Sequence, residues 1–217
     1  MTQTTQRLSA ESIRESFKSY LLEHGHKPEN MHLFSRYMEC EEAEIYGFYG
    51  SFDAIARDIW KSMMIATLQE VRQDPSYENS GAKDRLLTFY YSHLEFLKKS
   101  RSFILLNYVM RKPVIGCPDV LKEYKEEFVH FAKEVVNQGI EEGDITEIAY
   151  LSNQYHTALW VQLLYVLNYW IKDESADFEK TDTIVEKAVR ASFDFAGGGS
   201  FASIVDFGKH IFQDRQS

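Results

Sequence analysis

The stretch from Tyr150 to Ile171 constrains this chain more than any other. Leu151, Tyr155, Ala158, Leu159, Gln162, Leu163, Val166 and Trp170 recur there at helical spacing on overlapping faces. A helix that is apolar around most of its circumference has to be buried on more than one side. In a chain of 217 residues, that points to a subunit interface as well as a core. Its apolar part, Ala158 to Ile171, is interrupted by Gln162 and Asn168 and is shorter than the roughly 20 residues a bilayer requires. The N-terminus, Met1 to Arg7, is polar and lacks the apolar region of a secretory signal. A soluble, cytoplasmic protein is the expectation.

The rest of the chain repeats the same period. Ile13, Phe17, Tyr20 and Leu21 mark a first helix, with Ser9 placed to cap it and Gly25 to end it. Short helices follow over about Met31 to Met38 and Glu41 to Tyr49, then a long one from Phe52 to about Arg72. Further helical runs cover Leu86 to Ser100, Phe103 to Met110, Val120 to Val135 and about Thr181 to Phe195, with a connector from Gln138 to Ile145. No strand alternation, internal repeat or low-complexity tract interrupts them. With 11 Gly and 4 Pro against 15 Phe and 13 Tyr, the composition favours long, uninterrupted elements. The fold class is all-α. Cys40 and Cys117 are far apart and form no CxxC pair, which speaks against a zinc site or a disulfide framework.

Three short helices before a long one, with a tight turn between the second and third, resemble the start of a TetR-family regulator. The motif lies at the end of the third helix: Ile45-Tyr46-Gly47-Phe48-Tyr49-Gly50-Ser51-Phe52-Asp53-Ala54-Ile55. Gly139 to Ile145 also resembles the family's link between two ligand-domain helices. The resemblance implies a helix-turn-helix module over 1–50, and a helical ligand-binding and dimerisation domain over 51–217. It implies that Arg36, Glu41, Glu42, Glu44, Ile45, Tyr46 and Phe48 belong to the DNA-facing helix-turn-helix. It also implies an apolar or amphipathic small ligand among the central helices. Finally, it implies a homodimer in which Leu159, Leu163, Val166, Trp170, Val185 and Ala188 lie in a four-helix interface.

This chain departs from the family pattern where DNA is met. The turn carries Glu39 where a glycine is usual, because the backbone there needs positive φ. The recognition helix opens on Glu41 and Glu42, with Glu44 following. From Glu29 to Glu44 five residues are acidic and only Arg36 is basic, and residues 1–60 hold ten acidic and six basic residues, a net of 6 − 10 = −4. The whole chain carries −9. A duplex is held by cations that displace its condensed counterions. Carboxylates at a helix N-terminus stabilise the helix, but they occupy the place where a phosphate would sit.

Three readings follow. One is a one-component transcriptional regulator that takes a small ligand, with DNA binding disfavoured by charge. The second is a lipid or hydrophobe carrier without DNA activity, similar to the TetR-like lipid-binding proteins of ubiquinone biosynthesis. The third is a protein-interaction adaptor. At 100° per residue, Phe201, Ile204, Val205, Phe207, Gly208, Ile211 and Phe212 fall within an arc of about 160°, behind Gly197-Gly198-Gly199. This predicts an amphipathic C-terminal helix over about 200–213. It packs on its own subunit or on its twin, or makes peripheral membrane contact through 201–212.

Other constellations are weaker. Glu127 and His130, with Glu123 one turn earlier, have the spacing of half a di-iron site, but no second half exists, so they read as solvated face residues. No phosphate loop, nucleophile elbow or HExxH occurs, and neither an enzyme nor a metal or other cofactor is expected. Tyr90, His93, Tyr124, Phe128, Tyr155 and Trp160 either line a mainly apolar ligand pocket with a few polar anchors or are plain core aromatics. His156, like His93, reads as a hydrogen-bonded core or pocket histidine.

Overall fold

A computed structural model describes residues 8–109, 119–147 and 152–198. The described residues are helical and contain no strand. Cys117 and the whole predicted helix over 200–213 lie outside them. Helix α1 spans Ala10–His24. Ser9 caps it, its hydroxyl accepting the Ser12 N–H at 3.1 Å while the Ser12 hydroxyl accepts the Ser9 N–H at 2.9 Å. Helix α2, Met31–Tyr37, is capped by Asn30, whose side chain accepts the Leu33 N–H. Helix α3 is Glu42–Tyr46, shorter than the spacing predicts. The chain closes onto Ile45 instead of continuing, because the Phe48 and Tyr49 N–H groups both bond the Ile45 carbonyl at 2.9 Å.

The remaining helices are α4 (Phe52–Gln73), α5 (Ala82–Lys98), α6 (Arg101–Val109), α7 (Lys122–Glu142), α8 (Ser152–Lys172) and α9 (Glu179–Ala196). Single 3-10 turns at Asp119–Leu121 and Ala176–Phe178 precede α7 and α9. The connector before α8 starts at Gly143, not at Gln138, since α7 runs to Glu142. Gly139 sits inside the helix for a steric reason. The Ile145 N–H turns back to the Gly139 carbonyl at 2.9 Å, and a Cβ on Gly139 would lie 2.7 Å from Ile145 Cδ1.

The chain divides into two compact units, Met1–Met63 with Leu97–Tyr124, and Met64–Phe96 with Lys125–Ser217. In the first, Phe17 meets Phe34 edge-on at 5.9 Å and stacks on Phe52 at 5.6 Å. Phe34 and Phe52 also meet at 5.6 Å, so three rings join α1, α2 and the start of α4. A polar clamp reinforces them. Arg14 Nη1 donates to Asp58 Oδ2 at 2.7 Å, and the Tyr49 hydroxyl donates to the same oxygen. Burial, followed by this bond to Asp58, pushes the Tyr49 hydroxyl up to about 12. Trp60 is fully buried, packs edge-on against Tyr124 at 5.5 Å and donates its indole N–H to Asn107.

The second unit is built around α8, which carries no Asp, Glu, Lys or Arg before Lys172. Leu159, Leu163, Val166 and Trp170, together with Val185 and Ala188 of α9, are at most 6% exposed. The resemblance implies these six at a subunit interface; within this one chain their side chains are already covered. Burying bulky apolar surface is worth about 25 cal/mol per Å², and here that surface is spent within one chain. The outward side of α8 holds Gln154, Thr157, Ala158 and Val161, with Val161 61% exposed. Phe89 stacks on His93 at 5.2 Å and lies 4.8 Å from Phe131. One polar thread crosses this core: the Tyr90 hydroxyl donates to Gln162 Oε1, and Gln162 Nε2 donates to the Ser192 hydroxyl. Buried polar atoms are tolerated when paired in this way.

Glu39 adopts φ 54 in the turn between α2 and α3. The left-handed region costs a residue with a Cβ about 1–2 kcal/mol. Glu39→Gly should therefore raise unfolding stability by about 1 kcal/mol, read as a shifted urea midpoint at constant slope. Asp58→Ala should lower stability by about 1–3 kcal/mol, because it strips both the Arg14 guanidinium and the Tyr49 hydroxyl of their shared acceptor.

A candidate helix-turn-helix face and two recesses

The module formed by α1, α2 and α3 presents carboxylates and rings. Glu41 and Glu44 are exposed and Glu42 is partly exposed. The Glu44 carboxylate accepts the Glu41 backbone N–H at 3.0 Å, so the chain itself satisfies a donor at the start of α3. Glu42 Oε2 lies 3.8 Å from His32 Nδ1. It also accepts a hydrogen bond from Tyr46, whose hydroxyl is held above its usual range by slight desolvation and by that carboxylate. Tyr46, Phe48 and Leu33 are 51%, 48% and 40% exposed. Arg36 is exposed beside them. Ile45, expected on this face, is fully buried and belongs to the interior of the module. The short α3 has to spend its one central apolar side chain on anchoring itself.

The predicted aromatic pocket separates into different places. Tyr90, His93, Phe128 and Trp160 are at most 3% exposed and form the core of the second unit. Phe128 lies 6.1 Å from Trp160, and Lys125 Nζ sits 5.7 Å above the Trp160 ring. Tyr124 belongs to the first unit, against Trp60. All five are buried within the chain. Tyr155 lines a recess. It stands with Val135, Val136, Ile145, Ala158, Phe193 and Phe195 around a space of about 60 Å³ between the ends of α7, α8 and α9. Phe195 is the signal that sequence reasoning missed: it falls off the buried stripe of α9 and is 56% exposed.

A larger recess of about 240 Å³ opens in the first unit. Phe17, Leu21, Phe52, Ala56 and Leu106 give it apolar walls, and His26, Lys27, Asp53 and Asn107 give it polar ones. The Asn107 side-chain oxygen already accepts from Trp60 at 3.1 Å, which orients its amide nitrogen. Among the described residues no group of three or more His, Cys, Asp or Glu is arranged to hold a metal. His130 instead pairs with Glu134 at 3.3 Å, and His156 is partly exposed, its pKa lowered by burial and by Lys133 and Lys125. No helix among the described residues is long and apolar enough to cross a membrane.

Complete burial drives the His93 pKa down to about 3, so the ring is neutral in the folded protein while its Nδ1 pairs with the Thr67 hydroxyl at 2.8 Å. An unfolded histidine takes up a proton near pH 6.5. Stability supplied by the neutral ring is therefore complete above that pH and is lost as pH falls from about 6.5 toward 3. Replacing His93 by Gln should flatten the urea-midpoint profile across that window by up to one proton, leaving the neutral limb almost unchanged in slope.

Comparison with known proteins bears on the family and on the fold. A family model described as "Tetracyclin repressor-like, C-terminal domain" matches residues 85–211. A solved structure of a protein of unknown function from Rhodococcus sp. RHA1 is similar with a TM-score of 0.59 at 13% identity, covering 90% of this chain and 100% of that one. A protein from Shewanella sp. PV-4, assigned to the tetR family of transcription regulators, is similar with a TM-score of 0.57 at 14% identity, covering 88% and 97%. At such identities the two structures speak for the fold alone. The sequence matches none of the curated proteins. The family model covers more than half of the residues, in the all-helical architecture described above, and the chain belongs to the TetR family.

Proposed function

We propose that this protein is a ligand-responsive, homodimeric regulator of the TetR type whose helix-turn-helix module does not hold duplex DNA by itself. The observation that carries this reading is the sign of the module. Glu39, Glu41 and Glu44 are exposed, Glu42 is partly so, and Arg36 is the single cation between Glu29 and Glu44. Bringing like charges together at a desolvating interface costs several kcal/mol, and no counterion release offsets it. Residues 1–50 form the module, and 51–217 serve ligand binding and dimerisation. The outward side of α8 supports the dimer, because Thr157, Ala158 and Val161 offer a partner an uncharged surface.

The 240 Å³ recess of the first unit supports an amphipathic small ligand. Apolar walls with a few placed polar groups are the usual construction of such sites. The volume of the larger recess approaches the roughly 300 Å³ at which such sites begin, and the 60 Å³ recess of the second unit falls far short of it. In this reading the regulator acts through its ligand state and its protein contacts. A lipid-carrier role is the alternative, and it predicts an apolar molecule that co-purifies and is released only by denaturation.

The wild-type dimer should retard no fragment in a genomic DNA selection at physiological ionic strength. Exchanging Glu41 and Glu42 for Lys should create weak, sequence-independent binding. Its log affinity should fall with log salt by about 0.9 per phosphate engaged. Tight, operator-selective retardation by the wild-type protein would defeat the proposal.

A further inference from the structure

The small recess between α7, α8 and α9 has an occupant within the chain. We propose that the C-terminal segment 201–212 folds back and seats one or two of its apolar side chains there, in its own subunit. The observations concern size, lining and the direction in which the chain leaves α9. A space of about 60 Å³ is far below the roughly 300 Å³ at which small-molecule sites begin, which suits parts of one or two side chains and not a separate small molecule. Its lining is apolar apart from Ser192 and the Tyr155 ring edge, so an unpaired polar guest would lose its hydration without compensation.

The exit point is fixed beside this space. The Thr146 N–H donates to the Ala196 carbonyl at 2.8 Å, and the Gly197 N–H returns to Phe193 at 2.8 Å. A Cβ on Gly197 would stand 2.7 Å from the Asp144 carbonyl oxygen, and Gly198 turns the chain with φ +76. Ile145 and Ala196, on either side of this junction, both line the recess. From Gly198 to Phe201 the chain spans at most about 11 Å. The apolar stripe Phe201, Ile204, Phe207 and Ile211 therefore begins within reach of the rim. A tether this short gives an effective concentration on the order of millimolar or more, which favours the chain's own segment over an external guest. Phe195, exposed at the rim, is the side chain such a segment would cover. The inference stands apart from the question of duplex binding and from the ligand recess of the first unit.

Cysteine pairing tests it. In a Cys40→Ser, Cys117→Ser background, Ala158→Cys is combined in turn with Ile204→Cys, Phe207→Cys or Ile211→Cys, and the protein is oxidised. A disulfide needs Cα atoms within about 7 Å. At least one pair should close within a single chain, giving a compact monomer band on a non-reducing gel. A dimer band that Ala158→Cys alone does not give places the segment on the twin, and the absence of any link leaves the recess uncovered by it; either result overturns the proposal. As a second measurement, Ile204→Asp with Phe207→Asp in the full chain should raise the fluorescence of an anilinonaphthalene sulfonate dye several-fold. Adding Ala158→Trp, which fills the recess, should remove that gain. Unchanged dye binding, or a wild-type chain that sediments with phosphatidylglycerol vesicles through this segment, also counts against it.

Discussion

A helix without a formal charge for twenty residues cannot be left with either side in water at no cost, and α8 is such a helix from Ser152 to Ile171. The unit around it is shaped by how it disposes of that surface. Its bulky side, Leu159, Leu163, Val166 and Trp170, goes inward. Gln162, the one strongly polar group on that side, is buried because both ends of its amide are used, one by Tyr90 and one by Ser192. The thread links α5, α8 and α9, so the polar residue that interrupts the apolar pattern also fixes the register of three helices. What stays outward is small and uncharged, the kind of surface that stable dimers bury in the middle of their interfaces.

In the first unit the same economy applies to rings. Phe17, Phe34 and Phe52 hold α1 and α2 to the start of α4, and Asp58 ties Arg14 and Tyr49 to the same helix. The contacts that position α1, α2 and the start of α4 are thus made by rings and one shared carboxylate, while the surface of the module carries further carboxylates. These two properties separate cleanly because they use different residues: the interior of the module fixes orientation, and its exposed side chains decide which partner is attracted. Glu39 shows the separation in one residue. The backbone takes a left-handed turn there although the residue carries a Cβ, which glycine would spare it. The framing contacts are strong enough to impose the conformation on a residue that resists it.

Much of this was legible in the sequence, and the exceptions have a common cause. Period and caps located α1, with Ser9 and Gly25 at its ends, and the acidic face was readable because exposed charge needs no neighbour to be recognised. Periodicity, however, marks which residues are apolar without saying which partner buries them. The six residues expected at the dimer interface, and Tyr90, His93, Phe128 and Trp160 expected around a ligand, are all buried within one chain, and Tyr124 belongs to the other unit. On a helix apolar all round, only the tertiary neighbours distinguish inside from interface. The length of α3 was misjudged for a different reason: Phe48 and Tyr49 look like helix continuations, but the chain folds both N–H groups onto Ile45. The boundary of α7 was displaced because Gly139 looked like a breaker, whereas it is there to let Ile145 close over the helix.

That closure gives Ile145 two roles at one place. It terminates α7 against Gly139 and forms a wall of the recess beside Phe193 and Ala196. Its neighbours Asp144 and Thr146 crowd Gly197 and bond the last carbonyl of α9. The end of α9 and the end of α7 therefore cannot move independently, since a shift of either one breaks the Thr146–Ala196 bond or drives Gly197 into the Asp144 carbonyl. A segment leaving this junction and returning to its rim would tighten a connection that is already made, and would add apolar cover to Phe195 and, at the recess wall, to Ala158 of α8. Interfaces of this size are settled by a few buried side chains and not by area.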